Sequence, residues 1–552
     1  MIGSVGRRVA IHKRGLRSAL GAIVASVLVA VSVSACSSEP ERGITYVEPN
    51  MFNSLYPPSG GYYPNGGVLN NIADRLLWQH PETLELHPWI ATELPEINED
   101  ATEFTFTLRE DVTYSDGTKL DAENVAANYD LYGFGDPDRA LTPSDQLGGY
   151  EGAEVLDDYT VRFHFDRPSP GFPQATSTMN QALLSTPTLE NGNTGFSPGN
   201  AENISGSGPF VITDEELGTG LTLSAREDYD WAPPARTDHQ GPAEVEEIRF
   251  TLAEEDSVRT GSLVAEQSDI ARQIEAPDER HLIDQGINIH SAGTNGVNNA
   301  YHFHFRQPLM EDQRVRQAII HAIDRENILN TLYSQSYPAG TSILAANALG
   351  YREQDGAYSF DPERSRELLD DAGWQIGEDG VRVRDGERLS VTFNEAVPQP
   401  RSREMFTKVQ EKLRDVGIEA ELNPGDRTAQ QEAMQDLERI QVRHTMVGRA
   451  SYDTLPNWLD VDGRNSFLNG WEDTVGDEEM QQMVDDYFAL VDEDKRAAAV
   501  GKMQDYLTEH ALVLPMFEEP QVYGFRDTIS GFSTEAIGRP SFYAVRETGG
   551  EE

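Results

Sequence analysis

Cysteine occurs once in 552 residues, as Cys36, which excludes an intramolecular disulfide and any cysteine-built metal cluster. Lysine is nearly as scarce, with six (Lys13, Lys119, Lys408, Lys412, Lys495, Lys502). Arginine therefore supplies most of the 44 basic residues, against 93 acidic ones and a net charge of −49. A surface this negative repels phosphate backbones, so nucleic-acid binding is excluded. Catalytic signatures are missing too. There is no G-x-S-x-G elbow; Ser205-Gly206-Ser207-Gly208 has the small residues without that spacing. Neither H-E-x-x-H nor a G-x-x-x-x-G-K-[ST] phosphate loop occurs. Carboxylates are so numerous that chance pairs are certain, and a glycosidase-like dyad cannot be argued from them. Beyond the first 36 residues no apolar run of the ~18 residues needed to span a bilayer remains.

Apolar residues at 38% and charged residues at 25% make a globular composition, and the length predicts two or three domains. The first 36 residues read as a targeting segment. Arg7, Arg8, Lys13, Arg14 and Arg17 form a basic region, an apolar stretch runs from about Ala19 to Val33, and Val33-Ser34-Ala35 precedes Cys36. This resembles the lipobox of bacterial lipoproteins, in which cleavage leaves a diacylated cysteine as the new N-terminus. Two acyl chains suffice for stable anchoring. The alternative is a short transmembrane anchor with an incidental cysteine. Residues 37–42 read as a tether, with folding expected from about 43.

Period-two alternation predicts strands at Phe104–Leu108, Val161–Phe165 and Leu221–Leu223. One helical stripe is predicted from Asp312 to Tyr333, with Asp312 as its cap. Met405, Phe406, Val409, Leu413 and Val416 make another, ended by Gly417 and followed by an alternating strand over 418–422. Helices are expected near 478–491 and 494–510, then a strand over 512–517. Tyr56, Tyr62 and Tyr63 fall in a Pro/Gly-rich stretch read as a loop that places rings at a surface or cleft. His302 and His304 share one side of a strand, read here as its polar face, and no third metal ligand is suggested nearby.

The order of segments resembles one family. Ala91-Thr92-Glu93-Leu94 is followed by Asp100–Arg109, Val112-Thr113-Tyr114-Ser115-Asp116-Gly117-Thr118 and Leu120-Asp121-Ala122-Glu123-Asn124-Val125. Later come Gly206-Ser207-Gly208-Pro209-Phe210, Arg259–Val264 with Asp269-Ile270, and Asp312–Ile319 with Ala322-Ile323-Asp324-Arg325. Together these resemble the family 5 solute-binding proteins of oligopeptide, dipeptide and nickel ABC importers. The motifs themselves support architecture; Arg314 and Arg316, for example, are read as solvating one helix face.

The resemblance implies an α/β, two-lobed clamp of the periplasmic-binding-protein type II kind. Lobe I would comprise about 43–290 plus 515–552 with an inserted subdomain at about 76–194, and lobe II 291–514. Hinge crossings would lie near 295–300 and 515–519. A peptide or peptide-like solute would bind between the lobes and pass unchanged to an ABC permease and its ATPase. The protein would be a monomer on the cell surface or periplasmic side, held to the membrane by lipidated Cys36. No enzyme activity, cofactor or resident metal is implied.

Peptide binders of this family hold the ligand's α-amino group with an acid in a lobe II loop. Here Ser451 stands where that acid is expected, Asp453 follows two residues on, and Arg449 offers a partner for a ligand carboxylate. Tyr62, Tyr63, Asn298, Tyr301 and Glu518 are further ligand-binding candidates, chosen by position near the lobe I loop and the crossings. The missing acid keeps a metal-chelate or metallophore receptor open as an alternative, with an extracellular hydrolase behind it.

Overall fold

The computed structural model describes residues 43–548 apart from 192–194, 397–398, 400, 434–435, 437–438, 462–469 and 472–473. The predicted leader, Cys36 and the tether lie outside the described residues, as does the C-terminal tail from 549. No helix among the described residues is long and apolar enough to cross a membrane.

Strand Gly43–Glu48 alternates so that Ile44 and Tyr46 bury into one core while Val47 reaches another. It pairs in parallel with Glu247–Leu252 and Ile270–Arg272. These belong to a seven-stranded mixed sheet whose order is 288–293, 520–525, 270–272, 43–48, 247–252, 220–225 and 210–216. The late strand Pro520–Phe525 lies between two earlier ones. This sheet is therefore complete only when the C-terminal chain returns.

Beside it stands a four-stranded antiparallel sheet of 96–97, 103–107, 160–165 and 150–157. Phe104, Phe106, Val161 and Phe163 are buried on one face, while Thr107 stays exposed. That is the one-sided burial expected of an antiparallel sheet. Phe172 plugs the apolar face, its ring 5.0 Å from Phe104, 5.1 Å from Phe163 and 4.8 Å from Phe165.

A five-stranded sheet runs 419–423, 390–394, 442–447, 297–303 and 513–517. Every residue of Val297–Phe303 is buried. Tyr301 and Phe303 face the core shared with helices Gln313–Ala322 and Ser402–Asp415, while Val297 and Ala300 face that of Thr454–Leu459, Glu478–Phe488 and Glu493–Glu509. A strand covered on both faces has no solvent-exposed side, so the polar face expected to carry His302 and His304 is buried. His302 instead packs its ring 4.4 Å from Trp458, and burial pulls its pKa down. The described residues hold no cluster of three or more potential metal ligands.

The predicted Ser402 helix, its left-handed Gly417 (φ +89°) and strand Glu419–Asn423 all form. The long helix over 312–333 does not. It breaks into Gln313–Ala322 and Arg325–Leu332, because Ile323 is extended and the Asp324 carboxylate accepts the Asn327 N–H at 3.1 Å as a new cap. Arg316 is also not solvating: it is buried, donating to the Met310, Glu311, His510 and Ala511 carbonyls. The Pro/Gly stretch near Tyr62 is only partly loop. Helix Tyr63–Ile72 starts inside it, with Pro64 in the first turn, where its missing N–H costs nothing.

The chain leaves the seven-stranded sheet at Gly293, enters the five-stranded one at Val297, and returns between Phe517 and Pro520. Pro515–Phe517, grouped with lobe I in the sequence reading, thus pairs with Asn299 and Ala300 in the five-stranded sheet.

Candidate functional site

Residues from both sides of these crossings meet around a cavity of about 130 Å3. Gly61, Arg75, Trp78, Gln79, Asp145, Ile537 and Arg539 line it from the side of the seven- and four-stranded sheets. Gly448, Arg449 and Ala450, which follow strand Val442–Val447, line it from the other. Hydrogen bonds span the gap, among them those from the Ser334 and Ser336 hydroxyls to the Glu279 carboxylate at 2.6 and 2.8 Å. Gln79 donates to the Ala450 carbonyl at 3.0 Å, Arg449 to the Asp145 carboxylate at 2.8 Å, and Arg496 to the Pro170 carbonyl at 3.1 Å.

Arg539 is built in deeply. Its Nη2 donates to the Gly60 and Gly61 carbonyls, both at 2.9 Å, and its guanidinium stacks 4.6 Å from the Tyr63 ring. Gly66 makes room for it, since a Cβ there would lie 2.1 Å from Arg539 Nε. Tyr63 donates to the Ile537 carbonyl at 3.1 Å, and its hydroxyl lies 3.7 Å from where a Gly448 Cβ would stand. Burial is the main cause that raises its phenol pKa. Tyr62 precedes the helix and is half-buried.

Arg449 sits at the cavity with its side chain 17% exposed, paired to an Asp145 that is 40% exposed. Asp453 is engaged elsewhere: its carboxylate accepts from Arg496 Nη2 at 2.7 Å and from the Tyr487 hydroxyl. The same carboxylate abuts Gly171 across the gap, where a Cβ would fall 1.7 Å from Oδ2. Ser451 accepts the Asp453 N–H at 3.2 Å, a local turn before helix Thr454–Leu459.

Of the eight sequence candidates Arg449 alone lines the cavity; Tyr62, Tyr63, Ser451 and Asp453 do not, nor do the remaining three. Asn298 is buried and donates to the Ser342 and Leu344 carbonyls at 2.9 and 3.0 Å. Tyr301 is a core residue, its ring 5.1 Å from Phe393 and 4.8 Å from His444. Glu518 accepts the Ala346 N–H at 3.1 Å, and burial raises its pKa. Arg75, Gln79, Asp145 and Arg539 escaped the sequence reading. A cation directly before the apolar run Leu76-Leu77-Trp78 was the available signal for Arg75. Nothing local marks Asp145.

Residues 85–454 match the bacterial extracellular solute-binding proteins, family 5 middle region. The chain belongs to this family. As a family 5 solute-binding protein it is 24% identical over 399 residues to the dipeptide-binding protein of Escherichia coli, covering 67% of this chain and 69% of that one. It is 21% identical over 552 residues to the glutathione-binding protein GsiB of Shigella dysenteriae, covering 95% and 96%. Its fold superposes on NikA from Brucella suis, solved with Fe(III)-EDTA, with a TM-score of 0.77 at 22% identity, over 92% of this chain and all of the other. The two sheets with their paired crossings are accordingly the two lobes of a periplasmic-binding-protein clamp.

Proposed function

We propose that this family 5 protein captures a peptide or peptide-like solute between its lobes and delivers it unchanged to an ABC permease and ATPase. The first lobe would be 43–293 with 520–548, the second 297–517, and the two short crossings the hinge. The observation that carries the reading is the cavity walled by both lobes: a ligand there touches both only when they are together, and so favours closure. The names of the dipeptide- and glutathione-binding relatives support a peptide-like cargo. Arg449 supplies the specific contact. Its pair with Asp145 is partly exposed, and such pairs contribute only ~0–1 kcal/mol, so a ligand carboxylate can take Asp145's place at little cost.

Cys36 would carry the lipid anchor, placing a monomer on the cell surface or periplasmic side. A metal-chelate cargo is the second reading, favoured by Arg75, Arg449 and Arg539 around one cavity, because guanidinium groups suit polycarboxylates. An extracellular hydrolase would require turnover of peptides by the clean recombinant protein.

Native mass spectrometry of protein from its own host separates the first two readings, by peptide masses or by a metal complex. Small-angle scattering supplies the mechanical test. The particle should become more compact on saturation with the cargo so identified, and superimposable curves would remove the clamp.

A further inference from the structure

Arg75 follows helix Tyr63–Ile72 and is 4% exposed. Among the described residues no carboxylate hydrogen-bonds or ion-pairs with it directly, and Glu535 and Asp74 act on it only as nearby charges. Its single hydrogen bond runs from Nη1 to Asn70 Oδ1 at 2.9 Å, its guanidinium stacks 4.7 Å from the Trp89 ring, and its buried Nε has no acceptor. Other buried guanidiniums are differently placed. Arg272 bonds Glu48 and Gln521, Arg259 bonds three carbonyls and Asp256, and Arg496 bonds Asp453, Tyr487 and Pro170. A buried cation without a direct ion pair, and with a donor left unsatisfied, is expensive. In a chain this acidic, a carboxylate partner would have been easy to supply.

Arg75 also lines a second cavity, of about 310 Å3, which lies wholly within the first lobe. Arg75, Trp78 and Glu535 are common to this cavity and the cleft. Its walls are aromatic: Trp78, Trp89, Tyr229 and Tyr543, with Arg236 stacked 4.8 Å over Tyr543. The carboxylates around it are mostly committed. Asp238 takes two bonds from Arg236, and Glu535 accepts the Arg539 and Ile537 N–H groups, leaving Glu82 at the exposed rim. At 310 Å3 the space reaches the lower end of the ~300–1,000 Å3 usual for small-molecule sites.

We propose that this cavity is a second subsite, which receives an aromatic group bearing a carboxylate and pairs that carboxylate with Arg75. A cargo too long for the cleft cavity would thread past Arg75 and Trp78 into it. The inference rests on the importer reading for its purpose. The cavity's ligand chemistry does not depend on that reading, because every wall belongs to one lobe.

The test uses the full mature chain with three probes: indole-3-acetate, neutral indole and cationic tryptamine, read by calorimetry and saturation-transfer NMR. Indole-3-acetate should bind about tenfold more tightly than tryptamine. Arg75→Met, which keeps the stem volume, should remove that preference. Ala235→Trp, on the half-buried loop lining the cavity, should weaken all three probes and serves if the Arg75 variant fails to fold. Indole-3-acetate binding unchanged by Ala235→Trp, or lost only with Arg449→Ala, places the probe elsewhere and overturns the subsite. So does an absence of binding at millimolar probe. Cargo-induced compaction is scored separately: compaction without probe binding sinks only the subsite, and probe binding without compaction sinks only the importer reading.

Discussion

Arg449 and Asp145 are 304 positions apart in the chain and meet at 2.8 Å across the cleft. If the ligand's anionic group displaces Asp145, Arg449→Ala should weaken cargo binding about tenfold, or ~1.4 kcal/mol. The apo melting temperature should barely move, because the pair is partly exposed; calorimetry with the mass-identified cargo checks this, and unaltered affinity takes Arg449 out of the site. Glu519, beside the second crossing, poses a different question. It accepts from Asn299 Nδ2 at 3.0 Å, and burial pushes its pKa up to about 7. A carboxyl that binds its proton more tightly when folded stabilises the fold at low pH. That stability is lost as pH rises from the unfolded value near 4.5 through about 7. Glu519→Gln should therefore raise the melting temperature at pH ~8, recovering up to ~3 kcal/mol, and change it little at pH ~4.5. A shift of equal size at both pH values would show that the side chain matters by shape alone.

At the scale of elements, the contact between the Pro170-Gly171 turn and the Asp453 loop lies outside the cavity lining, yet it joins the lobes. Arg496, 3% exposed in its side chain, holds Asp453 from one side and the Pro170 carbonyl from the other. Gly171→Ala puts a methyl into Asp453, and the clash exists only while the lobes touch. The variant should keep the wild-type melting profile of each lobe, scatter as a more open particle and bind cargo more weakly; scattering curves identical to wild type would show that the turn yields without cost. Elements of this size were largely legible in the sequence. The helix Ser402–Asp415, its glycine stop and the strand after it depend on neighbours a few residues away. Helix Gln313–Ala322 was legible in kind but not in length. Asp324 competes locally for the backbone N–H groups that a continuous helix would have used, and an apolar stripe does not report that competition.

For the whole molecule, the proposed anchor and the clamp make separate demands. Labelled palmitate should be incorporated into the wild-type protein and not into Cys36→Ala, while the chain from residue 37 onward keeps its cargo affinity. Membrane-held wild-type protein without label would point to an apolar span in place of acyl chains. The lobes, by contrast, are products of chain return. Pro520–Phe525 completes a sheet begun at Gly43, and Val513–Phe517 flanks the strand that opens the second lobe. The family resemblance anticipated a discontinuous lobe, but no local pattern marks which residues pair across hundreds of positions.

The sequence by itself determined the single thiol, the acidic surface, the leader pattern, most strands and helices, and the family, because each rests on composition or on residues close together in the chain. Only the tertiary structure decided that His302, Tyr301 and Asn298 are interior, that Asp453 serves Arg496, and that Arg75, Arg449 and Arg539 surround one cavity. Burial and electrostatic pairing are properties of what surrounds a side chain, and those surroundings come from distant segments brought together by folding.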